Sequence, residues 1–288
     1  SPSIRPCAGG LVARENTGQG HLKRGLQAVL DLDVRCIQFH RPEPLYFRVK
    51  THLMETRPNP QQSMQRITGW MSLASGLIAL VSYYLVAASV HFNFEFFSNP
   101  AIVFQGQEVD RGMLRWSMIA DVFGYYLLLL PLIFFLGRQM EGHTPWNGLI
   151  RFMGTGYVLM GAAGACILAV VWPFLLDAHA TAETSLQPSV VLLFQTSAQG
   201  VVTGIWNMLD GWLGAAWWIA VSLFLMKRMK IVSWLGIATG IFSLLDATGN
   251  MLEWKSLADV SVNAYLVLAP VWTIAIGVVL IRKEQVFV

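Results

Sequence analysis

The stretch GAAWWIAVSLFLMKRMKIVSWLGIATGIFSLL, residues 214–245, consists of two apolar runs joined by a basic turn, KRMK (227–230). Neither run contains a charged side chain. With their flanks, 206–226 and 231–254, each reaches the roughly 20 residues that a helix needs to cross a hydrocarbon core about 30 Å thick. Backbone groups in lipid have no water to bond, so each must be satisfied within its own segment, and both runs must be α-helices. Working outward, four more segments of this kind lie at 67–90, 116–137, 152–176 and 264–281. These runs are too long and continuous for the alternating strands of an outer-membrane barrel, and too numerous for a cleaved signal peptide. The whole chain agrees: 55% of its 288 residues are hydrophobic and 13% charged, against about 25% charged in a soluble domain. Mean hydropathy is +0.51. The expected fold is all-α, a polytopic membrane bundle of six transmembrane helices.

Residues 1–66 have a different composition. They are polar, contain six prolines and hold ten of the twenty Lys and Arg residues. Only 25–39 has the makings of a short helix or strand. Met54 and Met64 are natural starts just before the first apolar segment, so this arm is expected to be a fragment or an upstream extension. The rival reading is a basic arm drawn to anionic lipid, which its five acidic residues dilute. The domain division is therefore 1–66, a largely irregular arm, and 67–288, the membrane domain.

Orientation follows from Lys and Arg, which are retained on the cytoplasmic side. With the N-terminus inside, that side holds seventeen and the other three (Arg111, Arg115 and Lys255); without the arm the ratio is seven to three. Both termini are expected to be cytoplasmic. Of the two long outer loops, HFNFEFFSNPAIVFQGQEVDRGMLR (91–115) is aromatic and expected to lie along the outer leaflet, as rings favour the headgroup level. In the other, 189–205 reads equally well as an interfacial helix or as an extension of the fourth helix. No internal repeat is visible, although three helices per half is compatible with the inverted repeats of carriers.

The fifth segment carries the chemistry. At about 100° per residue, Gly236, Gly240, Ser243, Asp246, Asn250 and Glu253 share one stripe. Small and polar residues mark interhelical contacts in membranes, so the stripe should face protein. Asp121 and Tyr125 in the second segment and Asn207 and Asp210 in the fourth lie in the same half of the bilayer, with Asp177 and His179 ending the third. A carboxylate at mid-membrane costs roughly 2.5–3.5 kcal/mol on insertion scales. No Lys or Arg occurs in the middle of any segment. Asp246 is therefore expected to be protonated, hydrogen-bonded, paired with a cation from the rim or open to water. Asp246, Asn250, Glu253, Asp210, Asn207, Asp121 and Tyr125 are the candidate ligand-binding residues. The plainer alternative is that they are polar glue between helices.

Other chemistries find little support. No phosphate-binding loop, dinucleotide fingerprint, H-E-x-x-H pair or G-x-S-x-G elbow occurs, so no cofactor or catalytic residue is assigned. Cys7, Cys36 and Cys166 have neither disulfide nor metal spacing. His91 and Glu95 with Asp177 and His179 could supply oxygen and imidazole ligands, but they sit at the rim and no metal is expected. The pairs Tyr125–Tyr126 and Trp217–Trp218 read as packing or interface anchors. Beyond the basic arm nothing suggests nucleic acid.

Trp234-Leu235-Gly236 after the basic turn, and Trp272 through Gly277, Leu280 and Arg282 in PVWTIAIGVVLIRK, resemble a broad group of bacterial multi-helix membrane proteins of unknown function. In that group a W-L-G opens the fifth helix and V/I-W-x(4–5)-G-x-x-L-x-R closes the sixth. The layout matches over 67–284, the residues only in the last third. The resemblance implies topology and a bacterial cytoplasmic membrane, with no chemistry attached. The function expected is binding or translocation of a small solute, ion or proton through a polar pocket opening outward. The alternatives are an intramembrane carboxylate-dependent enzyme and a non-catalytic assembly protein. Lipid is the one partner the sequence demands; the oligomeric state is left open.

Overall fold

The computed structural model describes residues 60–93, 96, 100–104 and 109–282. The arm up to residue 59 lies outside the described residues, as does Glu95. Six helices are long and apolar enough to span a membrane: α1 Pro60–Ser89, α2 Arg111–Met140, α3 Asn147–Thr181, α4 Gln187–Leu225, α5 Lys230–Met251 and α6 Lys255–Arg282. No strand occurs among the described residues. Successive helices run in alternate directions. The ends of the bundle meet where the Gln65 amide of α1 donates to the Leu280 carbonyl of α6 at 2.9 Å.

Several helices outrun their apolar segments. Hydropathy marks the part of a helix that lipid surrounds, whereas i→i−4 bonding continues as long as side chains permit. Thus α1 begins at Pro60 and not 67, and α6 at Lys255 and not 264. The open question over 189–205 is answered: it is part of α4, whose 39 residues at about 1.5 Å each make a rod of roughly 58 Å. α2 is capped by Asp110, whose side chain accepts from the Met113 N–H at 2.9 Å, the usual device for an orphan donor at a helix start.

Two helices are irregular inside the membrane. In α2, Val122–Tyr126 forms a widened, π-type turn and Leu127–Leu129 a tightened 3-10 turn. Pro131 follows; its ring takes away the bond to the Leu127 carbonyl and crowds that group. Tyr126 takes up the break with φ −125° and ψ −83°. In α4, Gln199–Asp210 is widened in the same way. Pro270 in α6 likewise withholds an N–H from the Leu266 carbonyl, and the Tyr125 hydroxyl donates to that carbonyl instead, at 2.6 Å.

Small residues set the close approaches. α1 buries Gly69, Ser72, Ser75, Gly76, Ala79 and Ser82 along one face. A Cβ on Gly277 of α6 would meet the Gly69 carbonyl and the Leu73 nitrogen at 2.8 Å, so backbone touches backbone there. Elsewhere glycines stand opposite rings: Gly161 against Tyr126, Gly154 against Trp217, and Gly236 against Trp272. Trp217, Trp218, Trp272 and Tyr157 are fully buried, with neighbouring ring centroids 5.0–6.3 Å apart. Trp217–Trp218 is thus a packing pair. Rings such as Trp70, Phe152, Phe174 and Trp234 point outward, more than half exposed, as lipid-facing side chains do.

The buried side chains form two clusters. One centres on the tryptophans and on Leu132, Leu136, Ile276 and Leu280. The other gathers Phe96, Val103, Leu114, Trp172, Leu175 and Phe194 at the opposite end. The loop between α1 and α2 belongs to the second. Phe96 is 2% exposed, edge-on to Trp172 with centroids 5.5 Å apart, and Val103 and Phe104 of the 3-10 turn Pro100–Phe104 face the protein. Of the described rings in 91–115, Phe96 and Phe104 find partners on α3 and α4, whereas Phe92 is more than half exposed and packs on Tyr84 of α1.

Candidate functional site

Where the two clusters meet, a cavity of about 100 Å³ is enclosed by α1, α2, α3, α4, α5 and α6 and by the loop residues Phe96 and Pro100. That is several times the roughly 10–15 Å³ one water requires. Five of the seven candidate residues line it: Asp121, Tyr125, Asn207, Asp210 and Asp246. Each carboxyl comes from a different helix, and among the described residues no Lys, Arg or His is on the wall.

The widened turns explain how these groups converge. In a regular α-helix Tyr126 would lie well round from Asp121. Where bonding shifts toward i→i+5, the fifth residue comes round over the first, and such bulges are frequent at functional sites. The Leu127 N–H indeed reaches the Val122 carbonyl. Asp121, Tyr125 and Tyr126 therefore all face one cavity. In α4, the Gly211 N–H reaches back to the Trp206 carbonyl, and Val202, Trp206, Asn207 and Asp210 all reach the wall.

The three carboxyls are held differently. Asp121 has the Ser82 hydroxyl 3.3 Å from its Oδ1, although that proton is closer to the Ser117 carbonyl at 2.9 Å. Asp246 accepts from the Asn250 amide at 2.8 Å, and the same amide donates to the Asp246 carbonyl at 2.9 Å. Asn250 thus orients Asp246 from one turn away without reaching the cavity. Asp210 accepts at Oδ2 from the Tyr126 hydroxyl at 3.2 Å, while its Oδ1, buried, has no hydrogen-bond partner among the described residues. The Trp172 indole N–H, from the same wall, is also buried and unpartnered.

A network of hydroxyls stands behind the carboxyls. Tyr157 donates to the Tyr125 carbonyl at 3.0 Å and lies 3.1 Å from the Tyr265 hydroxyl. Its single proton is committed to the carbonyl, so Tyr265 is the donor in that pair. The Trp206 indole donates to the Gly161 carbonyl at 3.0 Å, tying α4 to α3.

Glu253 lies elsewhere. It is exposed in the turn between α5 and α6 with φ +54°, where its backbone reverses the chain and Trp254 N–H returns to the Gly249 carbonyl at 2.8 Å. The stripe drawn on the fifth segment assumes that the helix continues to 254, but α5 ends at Met251. The rim residues are also apart from the cavity: Asp177 pairs with Arg111, and the His179 ring packs on Phe104. Among the described residues no three His, Cys, Asp or Glu gather closely enough to hold a metal ion. Sequence reasoning overlooked Ser82, Trp172, Trp206 and Tyr265 and gave Tyr126 a packing role. Pro131, five residues after Tyr126, was the available signal that α2 departs from regular geometry. No protein-family model, curated protein or solved structure matches this chain.

Proposed function

We propose that this protein binds a small solute or ion in the cavity between its helices and passes it across the membrane, with Asp121, Asp210 and Asp246 as the groups that bind or couple protons. The observation that carries this reading is the convergence of three carboxyls from three helices on one cavity whose wall, among the described residues, bears no basic side chain. Carboxyls within membrane spans are costly and mark ion or proton paths by default. Polar glue would need only paired groups, whereas Asp210 keeps an oxygen with no partner among the described residues. The sidedness we propose has both ends of the chain in the cytoplasm. Arg138, Arg151, Lys227, Arg228, Lys230 and Arg282 lie at one end of the bundle, against Arg111, Arg115 and Lys255 at the other. The cavity then opens outward, and the resemblance of the last third supports a bacterial cytoplasmic membrane.

The test is water access to Asp246. With Cys7, Cys36 and Cys166 replaced by Ser, Asp246→Cys is exposed to a membrane-impermeant thiol reagent in intact cells. Labelling is expected, and a pre-block from the outside should abolish later labelling in opened membranes. If Asp246→Cys stays unlabelled from both sides while a cysteine at Glu253 reacts, the cavity is sealed and the polar residues serve only to join helices.

A further inference from the structure

We infer that the cavity's ligand is a small organic cation with an ammonium group, an inference that rests on the solute-binding reading and names its substrate class. Charge is the first argument. Three carboxyls face the cavity with no cation among the described residues, so an anion would meet like charge in a low-dielectric site, and a cation would supply the missing balance. The character of the wall is the second. Seven of its eighteen residues are aromatic, and ring faces attract ammonium groups when the cation sits within about 6 Å of the centroid. Among the described residues no three His, Cys, Asp or Glu side chains cluster as they would around a transition-metal ion.

Two buried polar atoms on this wall point to what the ligand carries. Asp210 is 3% exposed, and its Oδ1 accepts from no donor among the described residues. An ammonium N–H is the donor it lacks. The Trp172 indole N–H, in a side chain 2% exposed, has no acceptor among the described residues. A hydroxyl or carbonyl oxygen on the same ligand, or a water held beside it, would supply one. Tyr126 holds the other Asp210 oxygen by donating to Oδ2 at 3.2 Å, leaving Oδ1 for the ligand.

The experiment is calorimetric titration of the purified full chain in detergent with n-butylammonium, tetramethylammonium, n-butanol and butyrate. Saturable binding of at least one cation is expected, with n-butanol and butyrate much weaker. Asp210→Asn should weaken the cation by roughly tenfold or more, since it removes one partner of a buried charge pair. Should Asp210→Asn fail to give monodisperse protein, the preference of the unaltered chain among the four probes decides alone. Binding of n-butanol or butyrate as tight as that of both cations overturns the inference yet leaves a solute site standing. An Asp210→Asn variant that binds the cation unchanged also overturns it. If no probe binds but Asp246→Cys labels, the cation class falls and the water-accessible pocket survives. If neither happens, both readings fall.

Discussion

Gly161 shows how little freedom single positions have around the cavity. A Cβ there would fall inside the Tyr126 ring, and that ring carries the hydroxyl that holds Asp210. Gly161→Ala is therefore expected to cost roughly 1–3 kcal/mol by overpacking and to weaken any ligand held by Asp210. Gly200→Ala, where nothing lies within 4 Å, should stay within about 0.5 kcal/mol of the parent. Thermal unfolding of the two variants in the same detergent separates them. At this scale the carboxyls were legible in the sequence, because an acidic side chain inside an apolar run is costly wherever it points. Tyr126, Trp172 and Tyr265 were not legible, because an aromatic residue in a membrane helix suits lipid, core or cavity equally well. Glu253 falls outside the cavity for a reason of geometry: two residues past Met251, the end of its helix, its angular position on that helix no longer has meaning.

Among the helices, the prolines have the clearest consequences. Pro270 frees the Leu266 carbonyl, and Tyr125 crosses from α2 to bond it at 2.6 Å. Interhelical hydrogen bonds in membranes average only about 0.6 kcal/mol, so Tyr125→Phe alone should be mild. Pro270→Ala restores a helical N–H to that carbonyl and should make the hydroxyl redundant. A double-mutant cycle is expected to give a coupling of about 0.5 kcal/mol or more between positions 125 and 270, and a value of zero would mean the contact contributes nothing. Helix existence was legible from length and hydropathy alone. The widened turns of α2 and α4 were not, because an i→i+5 bond leaves no mark in composition, although Pro131 announces a break nearby.

Across the whole molecule, the sidedness proposed from the Lys and Arg distribution has a direct test. Cysteines introduced at Arg228 and at Glu253, in a chain otherwise free of cysteine, should differ in intact cells: the second labels with an impermeant reagent, the first only after the membrane is opened. The opposite pattern would invert the orientation and turn the cavity toward the cytoplasm. The reach of α3 and α4 also belongs to this scale. Their extra turns supply His179 and Phe194, on which Phe104 packs, while Phe96 and Pro100 line the cavity itself.

The sequence by itself determined that this chain has six membrane-spanning helices and that Asp246, on the polar stripe of the fifth, should face away from lipid. Both follow from solvation, which acts on each segment separately: apolar runs need lipid, backbone groups need their own helix, and carboxyls must avoid hydrocarbon. The tertiary structure alone decided that the three carboxyls share one cavity, that Asn250 orients Asp246 from outside it, that Glu253 only shapes a turn, and that aromatic rings complete the wall. Those outcomes depend on the rotation of each helix about its axis and on where its winding changes. Glycine-to-ring packing, proline-freed carbonyls and hydrogen bonds between helices set both, and none of these is a property of one segment read alone.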